Sequence, residues 1–364
     1  MKYFTNPKVR EKTGTPGINP STVDLFLTYN CNSRCPYCFV RDRGTEMSMT
    51  PEIVDRAVDW VAENGRDMAT LVFIGGEPTL EPELIERAIV RSKLWEQRKS
   101  IKFGYTMTTN AIAINLELAE KLAELNVHYM ISVDGFGERH DRSRPTKSGI
   151  SSFNELTKKF DLLRLYQKRI AARVTTTPVN VSWLREDLEN LYRLGFDHFI
   201  VSPVTGIKWP EDSLRKYITE LSEFANNRMI VNGQPVPRLI PADEPPKGYH
   251  YWGCGAGRGR FSIDARGEIF ACARFVEIDS EHGLSLGNIF DGIDPDGNIK
   301  LFQDTSYESR PECIVCSLRE LCLGGCPAVN YQATGSIIKP SSEECRLSQA
   351  VLKILDNVKE PLQI

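Results

Sequence analysis

Cys31-Asn32-Ser33-Arg34-Cys35-Pro36-Tyr37-Cys38-Phe39 follows closely on Val23-Asp24-Leu25-Phe26-Leu27-Thr28. The apolar, β-branched run reads as a strand, so three thiols leave its C-terminal end on a short loop. In barrels of parallel strands, that end carries the chemistry. The spacing C-x3-C-x2-C lets all three sulfurs reach one metal centre, one ligand short of the four that an iron-sulfur cluster or tetrahedral zinc takes. The open corner is free to bind something else. A zinc knuckle completed by a distant residue is one alternative, and a disulfide that strands the third thiol is another. The disulfide needs an oxidising compartment, and Met1-Lys2-Tyr3-Phe4-Thr5-Asn6-Pro7 lacks the apolar core of a secretory signal.

Outward from this loop, strand and helix patterns alternate six times between residue 21 and about 230. Thr50-Pro51-Glu52 supplies an N-cap with proline at the first helical position, and Ile53, Ala57, Val58 and Val61 form an apolar stripe. Further strands are expected at 70–74, 102–108, 128–133, 172–177 and 198–202, with helices over 83–97, 116–125, 153–166, 184–194 and 213–227. Alternation of this kind implies an α/β fold with a parallel sheet and right-handed crossovers. Six units rather than eight suggest a partial (β/α)6 TIM-like barrel over 21–230, after an N-terminal extension at 1–20. Prolines 235, 237, 241, 245 and 246 mark a linker at 231–252. The other seven of the ten cysteines lie in a small cysteine-rich domain at 253–350, where a hairpin over 260–264 and 268–271 delivers Cys272; 351–364 is left as a tail.

Charge is nearly balanced, with 48 acidic against 45 basic residues and a formal net charge of -3. No block of Lys and Arg argues for nucleic acid or a membrane surface, and no run approaches the roughly 18 apolar residues of a membrane span. A cytoplasmic location is expected, with the cysteines reduced or metal-bound.

Other strand ends carry polar chemistry. Gly75-Gly76-Glu77-Pro78-Thr79 closes the second strand: the glycines allow close approach to a ligand, the Glu77 carboxylate can pair with an ammonium, and Pro78 stiffens the turn. Thr108-Thr109-Asn110 closes the third strand and Ser132-Val133-Asp134-Gly135 the fourth. Read alone, these are turn and capping signals. Together with C-x3-C-x2-C, and with Tyr37 before the third cysteine, they resemble the radical S-adenosylmethionine (SAM) enzymes. That resemblance implies that the open iron of a 4Fe-4S cluster is chelated by SAM's amino and carboxylate groups. It further implies that Gly75, Gly76, Glu77 and Pro78 hold the methionine amino group, that Ser132 meets the ribose or carboxylate region, and that Arg144 meets the carboxylate. Tyr37, Thr109, Asn110 and Asp134 complete the expected cofactor contacts, and Val201-Ser202-Pro203-Val204 is expected against adenine. His128 and His198 open strands and read as structural, and no residue stands out as a substrate acid or base.

The later cysteines run C-x12-G-x4-C, then C-x2-C-x5-C-x3-C, then a final Cys345, with Gly287-Asn288 between. A zinc ribbon would use the four closely spaced thiols but leave Cys254, Cys272 and Cys345 unexplained. The whole pattern resembles the SPASM extension of radical SAM enzymes. By that resemblance Cys254, Cys272 and Cys326 hold a first auxiliary 4Fe-4S cluster, one protein thiolate short, while Cys313, Cys316, Cys322 and Cys345 hold a second. The implied chemistry is reductive cleavage of SAM to a 5'-deoxyadenosyl radical, hydrogen abstraction, and oxidation or cross-linking of a substrate, by an oxygen-sensitive oxidoreductase. Anaerobic sulfatase-maturing enzymes carry an Asp after the second SPASM cysteine and an additional cysteine; here those places hold Ala273 and Arg260. Cys272-Ala273-Arg274-Phe275 is more similar to maturases of ribosomally made peptides. About 20 residues precede the first strand, where many such maturases carry a leader-recognition domain, so a separate leader-recognition protein or direct peptide binding is expected. A low-potential electron donor such as flavodoxin or ferredoxin completes the expected partners. A radical dehydrogenase or epimerase of a small molecule such as an amino sugar is the runner-up, an anaerobic sulfatase-maturing enzyme is kept as a further alternative, and a noncatalytic iron-sulfur or zinc scaffold comes last.

Overall fold

The computed structural model describes residues 18–40, 47–228, 238–239, 254–303, 310–322 and 324–357. In chain order the first elements are β1 (Thr22–Thr28), α1 (Pro51–Asn64), β2 (Met68–Gly75), α2 (Pro82–Glu96), β3 (Lys102–Thr109), α3 (Leu116–Glu124) and β4 (Val127–Ser132). They continue as α4 (Glu138–Ser143), α5 (Ser152–Tyr166), β5 (Ala171–Thr176), α6 (Leu184–Leu194), β6 (His198–Pro203), α7 (Glu211–Arg228) and β7 (Arg238–Leu239). The cysteine-rich part adds β8 (Arg260–Ile263), β9 (Glu268–Phe270), α8 (Ala273–His282), β10 (Gly287–Asn288), β11 (Gly292–Ile293) and α9 (Ile299–Gln303). Four helices complete it: α10 (Pro311–Ile314), α11 (Arg319–Cys322), α12 (Pro327–Thr334) and α13 (Ser342–Asn357).

Local chemistry sets the boundaries. Thr50 accepts the N–H of Ile53 at the start of α1, Asn115 accepts that of Leu118 for α3, and Ser151 that of Asn154 for α5. Gly195 ends α6 at φ 117°, a conformation that glycine adopts without a Cβ penalty. Strand β1 is buried along nearly its whole length, as parallel strands covered on both faces are. On β5, Ala172, Val174 and Thr176 are buried while Ala171, Arg173 and Thr175 alternate with them, partly exposed.

The six expected strand and helix pairs are present, and β1 to β6 run parallel in sequence order, as in a partial barrel. Three features differ from the expected outline. The linker holds β7, which continues the sheet from β6; apart from β7 the linker lies outside the described residues, as does the N-terminal extension apart from residues 18–20. The supposed tail starts inside α13, whose Arg346 reaches Glu211 on α7 at 2.8 Å and whose Glu343 accepts the Trp209 N–H at 2.8 Å. The hairpin of β8 and β9 does not stand apart from the barrel: β8 pairs in parallel with β1, Thr22 opposite Arg260 and Leu25 opposite Ile263. An unpaired β1 would offer a sheet edge, and β8 covers it.

This junction is also ionic. Asp24, fully buried, accepts from Arg260 Nη2 at 2.7 Å and Nε at 3.1 Å. Among the described residues, no helix is long and apolar enough to cross a membrane.

Candidate active site

The first three thiols sit on the loop that leaves β1. That loop is pinned from the far side of the barrel mouth: Arg34 donates its N–H to the Pro145 carbonyl at 2.7 Å, and Lys147 donates to that of Asn32 at 2.8 Å. Cys31, Cys35 and Cys38 lie close enough for each charge to act on the others. Burial pushes the Cys31 thiol up to about 12 and the Cys35 thiol up to about 11. Thiols pushed up in this way do not ionise on their own, and a bound metal centre would supply the compensating charge. Two donors already face the Cys31 sulfur: the Ser33 N–H at 3.4 Å, and the Asn110 amide nitrogen at a longer 4.0 Å. Hydrogen bonds to sulfur are a means of tuning cluster potential.

Gly75-Gly76-Glu77 lies against this loop, and the reason for its glycines is corrected by the structure. A Cβ on Gly75 would stand 2.2 Å from the Thr28 carbonyl oxygen, and one on Gly76 would stand 2.1 Å from that of Asn30. The close approach that demands glycine is therefore to the chain leading into Cys31. The Glu77 carboxylate differs from expectation too. It is 2% exposed and receives four protein donors: the Thr79 N–H at 3.1 Å, the Thr79 and Thr109 hydroxyls at 2.6 Å each, and the Asn110 N–H at 2.8 Å. Three of these donors meet Oε1 and one meets Oε2, so Glu77 joins the ends of β2 and β3. Asn110 extends the tie to the cysteine loop through Asn32 Oδ1 at 2.6 Å and Ser33 Oγ at 3.2 Å.

Asp134, Arg144 and Tyr37 also meet each other. Arg144 Nη2 donates to Asp134 Oδ1 at 3.0 Å; its Nε lies 2.9 Å from Oδ2, but without the alignment of a hydrogen bond. Asp134 also accepts the Thr175 N–H at 2.8 Å and the Tyr37 hydroxyl. The Arg144 guanidinium stacks 5.6 Å from the Tyr37 ring centroid, beside Cys35. The arginine expected to meet a ligand carboxylate thus arrives already paired, in a cluster that braces the cysteine loop against β4 and β5. His140 completes it: its Nδ1 accepts the Asp134 N–H at 3.3 Å, and burial pushes the imidazole down to about 4. Ser132, at the end of β4, has a hydroxyl that makes no hydrogen bond among the described residues. Ser202, expected against adenine, accepts from Arg173 Nη1 at 2.7 Å.

The seven later cysteines divide into two groups. Cys254, Cys272 and Cys326 act on one another, and Cys313, Cys316, Cys322 and Cys345 form the other set. Burial raises Cys272 to about 12 and Cys345 to about 11. Arg260, standing where another cysteine was considered, lies beside Cys254 and Cys272. Among the described residues, no three His, Cys, Asp or Glu side chains converge as tightly as one metal ion requires.

Arg173, Arg274, Asp24 and Glu344 escaped the sequence reading. Arg173 could have been flagged as a charge inside the strand Ala171–Thr176. Asp24 is a second such case, on β1. Arg274 and Glu344 give no comparable signal, because both lie on helices whose place beside Cys326 is set by tertiary packing.

Residues 25–195 match the model of the Radical SAM superfamily. A protein named cysteine-type anaerobic sulfatase-maturating enzyme from Clostridium novyi is 23% identical over 325 residues, spanning 82% of this chain and 85% of its own. Mycofactocin maturase MftC of Mycobacterium tuberculosis is 26% identical over 352 residues, spanning 90% of this chain and 83% of its own. Among solved structures, native anSMEcpe with bound AdoMet aligns with a TM-score of 0.76 at 18% identity, covering 92% of this chain and 96% of that one. Streptococcus suis SuiB bound to S-adenosylmethionine aligns at 0.64 and 17%, covering 90% and 77%.

Proposed function

Because residues 25–195 form a radical SAM domain, homologous to anaerobic sulfatase-maturating enzymes and to mycofactocin maturase MftC, we propose that this enzyme oxidises or cross-links a ribosomally made peptide. The observation that carries the proposal is the partition of ten cysteines into three groups, the first on the loop after β1 and the other two in the cysteine-rich part of the chain. On this reading, Cys31, Cys35 and Cys38 hold a SAM-binding cluster, while Cys254, Cys272 and Cys326, with Cys313, Cys316, Cys322 and Cys345, hold two auxiliary ones. When bound, the first cluster supplies the electron that cleaves SAM to methionine and a 5'-deoxyadenosyl radical, and the protein positions and shields that chemistry.

The chain's own part follows from its geometry. Glu77 fixes the backbone of Gly75 and Gly76 beside Cys31, so that main-chain groups meet the SAM amine. Ser132, with an uncommitted hydroxyl at the end of β4, is the group we assign to the ribose or carboxylate. The Asp134, Arg144 and Tyr37 cluster holds Cys35 in place and lends it the positive charge of Arg144. A peptide as substrate is supported by the maturase names of the relatives and by the neighbouring structure of SuiB bound to the precursor peptide SuiA. A cytoplasmic location, a flavodoxin- or ferredoxin-type electron donor and a separate leader-recognition protein belong to the same proposal.

The test is anaerobic reconstitution followed by iron and sulfide analysis, then addition of SAM and dithionite with assay for 5'-deoxyadenosine. About twelve irons per chain, as three four-iron clusters require, together with 5'-deoxyadenosine, supports the reading. Zinc in place of iron and no cleavage overturns it. A short peptide encoded beside the gene, supplied to the loaded enzyme and losing hydrogen mass in pairs, would establish the substrate class; turnover of an amino sugar with no change in the peptide would favour the small-molecule dehydrogenase.

A further inference from the structure

The group formed by Cys254, Cys272 and Cys326 has three thiols, whereas a four-iron cluster has four iron corners. The inference below rests on the reading of those three as cluster ligands. Four other charged side chains stand near them: Arg260, Arg274, Asp24 and Glu344. Arg260 and Arg274 are cations and cannot ligate iron. Asp24 has both oxygens occupied by Arg260, at 2.7 Å and 3.1 Å, and also accepts the Ala273 N–H. Glu344 is different.

Glu344 lies in the first turn of α13, immediately before Cys345 of the other group. Its carboxylate lies close enough to the backbone N–H and the thiol of Cys326 to act on both through its charge. Its Cγ comes within 3.0 Å of where a Cβ on Gly325 would stand, so it is packed against the segment that carries the Cys326 thiol. Its Oε2 is buried with no hydrogen-bond partner. Arg274 acts on both Glu344 and Cys326 through its charge but forms no ion pair with Glu344. A buried carboxylate oxygen with no donor is unfavourable unless something coordinates it.

We propose that Glu344 is the fourth ligand of the cluster held by Cys254, Cys272 and Cys326, through Oε2. The carboxylate binds as the anion, giving a lone pair to iron and releasing its proton to solvent. The corner is then closed by the protein, which makes this cluster an electron carrier and not a docking point for substrate. Adjacent residues of one helical turn also ligate different clusters, so Glu344 and Cys345 connect the two by a single peptide unit.

The test uses the full chain with Cys31→Ala, Cys35→Ala and Cys38→Ala, so that only auxiliary iron remains. The anaerobically reconstituted, dithionite-reduced protein is examined by electron paramagnetic resonance with and without cyanide, a probe for an open iron corner. With Glu344 present, about eight irons are expected, and cyanide should leave both signals unchanged. Glu344→Gln should alter one signal and make that signal alone respond to cyanide. Glu344→Cys should restore an unresponsive cluster with the full iron content. The signal of the Cys313, Cys316, Cys322 and Cys345 cluster, in the same sample, reports that the fold around α13 survives.

A cyanide response with Glu344 present overturns the inference, as does a Glu344→Gln spectrum that superimposes on its parent. Loss of both signals from Glu344→Gln without rescue by Glu344→Cys overturns it as well. Two loaded clusters indifferent to residue 344 would sink this inference alone, whereas a protein that takes up no auxiliary iron would sink the cluster reading and this inference with it.

Discussion

Changing Glu77 separates two roles that a Gly-Gly-Glu-Pro turn can have. Three donors converge on Oε1 and one on Oε2, the latter being the Asn110 N–H. In Glu77→Ala the Thr79 and Thr109 hydroxyls can rotate toward other acceptors, but the N–H groups of Thr79 and Asn110 cannot. Each orphaned buried donor costs ~1–3 kcal/mol, so two of them give about 2–6 kcal/mol. Glu77→Gln keeps an oxygen for the donors on one side and turns an NH2 group toward the other. It forfeits at least one charge-assisted bond, worth ~1.5–3 kcal/mol, partly offset because a neutral amide is easier to bury. The assay is urea unfolding of the iron-free chain, with SAM affinity of the reconstituted protein measured separately by calorimetry. Both variants should lower the unfolding midpoint with no SAM or iron present, Ala more than Gln. Were the carboxylate instead a direct partner of the SAM ammonium, Glu77→Gln would weaken SAM binding tenfold or more and leave the iron-free midpoint where it was. That second outcome would refute the scaffold role.

Three further outcomes are expected. Arg144→Ala strands Asp134 as a buried charge, and breaking such a pair from one side costs ~3–5 kcal/mol; Asp134→Asn in the same background should recover part of it in thermal melts. Acid should destabilise the chain through His140: the folded imidazole is held down to about 4 by burial while the unfolded one titrates at 6.5, so the unfolded state takes the proton first. At about 1.36 kcal/mol per pH unit, ~3 kcal/mol is lost as pH falls from 6.5 to about 4, and the slope of stability against pH over that interval should flatten in His140→Gln. Any of Cys31→Ala, Cys35→Ala or Cys38→Ala should abolish 5'-deoxyadenosine formation while auxiliary iron stays bound. Cys254→Ala or Cys272→Ala should instead lose auxiliary iron and substrate turnover but retain uncoupled SAM cleavage. Iron analysis beside chromatography of the nucleoside checks both halves.

What was legible in the sequence was whatever is local. Thr50-Pro51 and the apolar stripe after it fix α1 within one turn of chain, and the strand runs are short, continuous and bounded by turn residues. The ten thiols announced themselves by spacing, and neighbouring thiols act on one another through their charge within three sets of them. Partners distant in the chain were not legible. Asp24 and Arg260 are 236 positions apart, and nothing near Asp24 says that a cation awaits it. Glu77 and Arg144 were read as reaching outward because sequence shows a side chain's type but not which donors or acceptors the fold brings to it. The same blindness hid Glu344, an ordinary acidic residue in a first helical turn until Cys326 is placed beside it.

The pairing of β8 with β1 has a consequence for biosynthesis. Ser262 bonds back to Asp24 across 238 positions, so the sheet's first strand is made early and its neighbour on that side very late. At the roughly 5–20 residues per second of translation, about 10–50 s pass between them. Through that interval the emerging chain carries an uncovered strand edge and, directly after it, three unmetallated thiols. On the proposed reading of Cys31, Cys35 and Cys38 as cluster ligands, iron delivery to them is best timed after β8 has closed over β1.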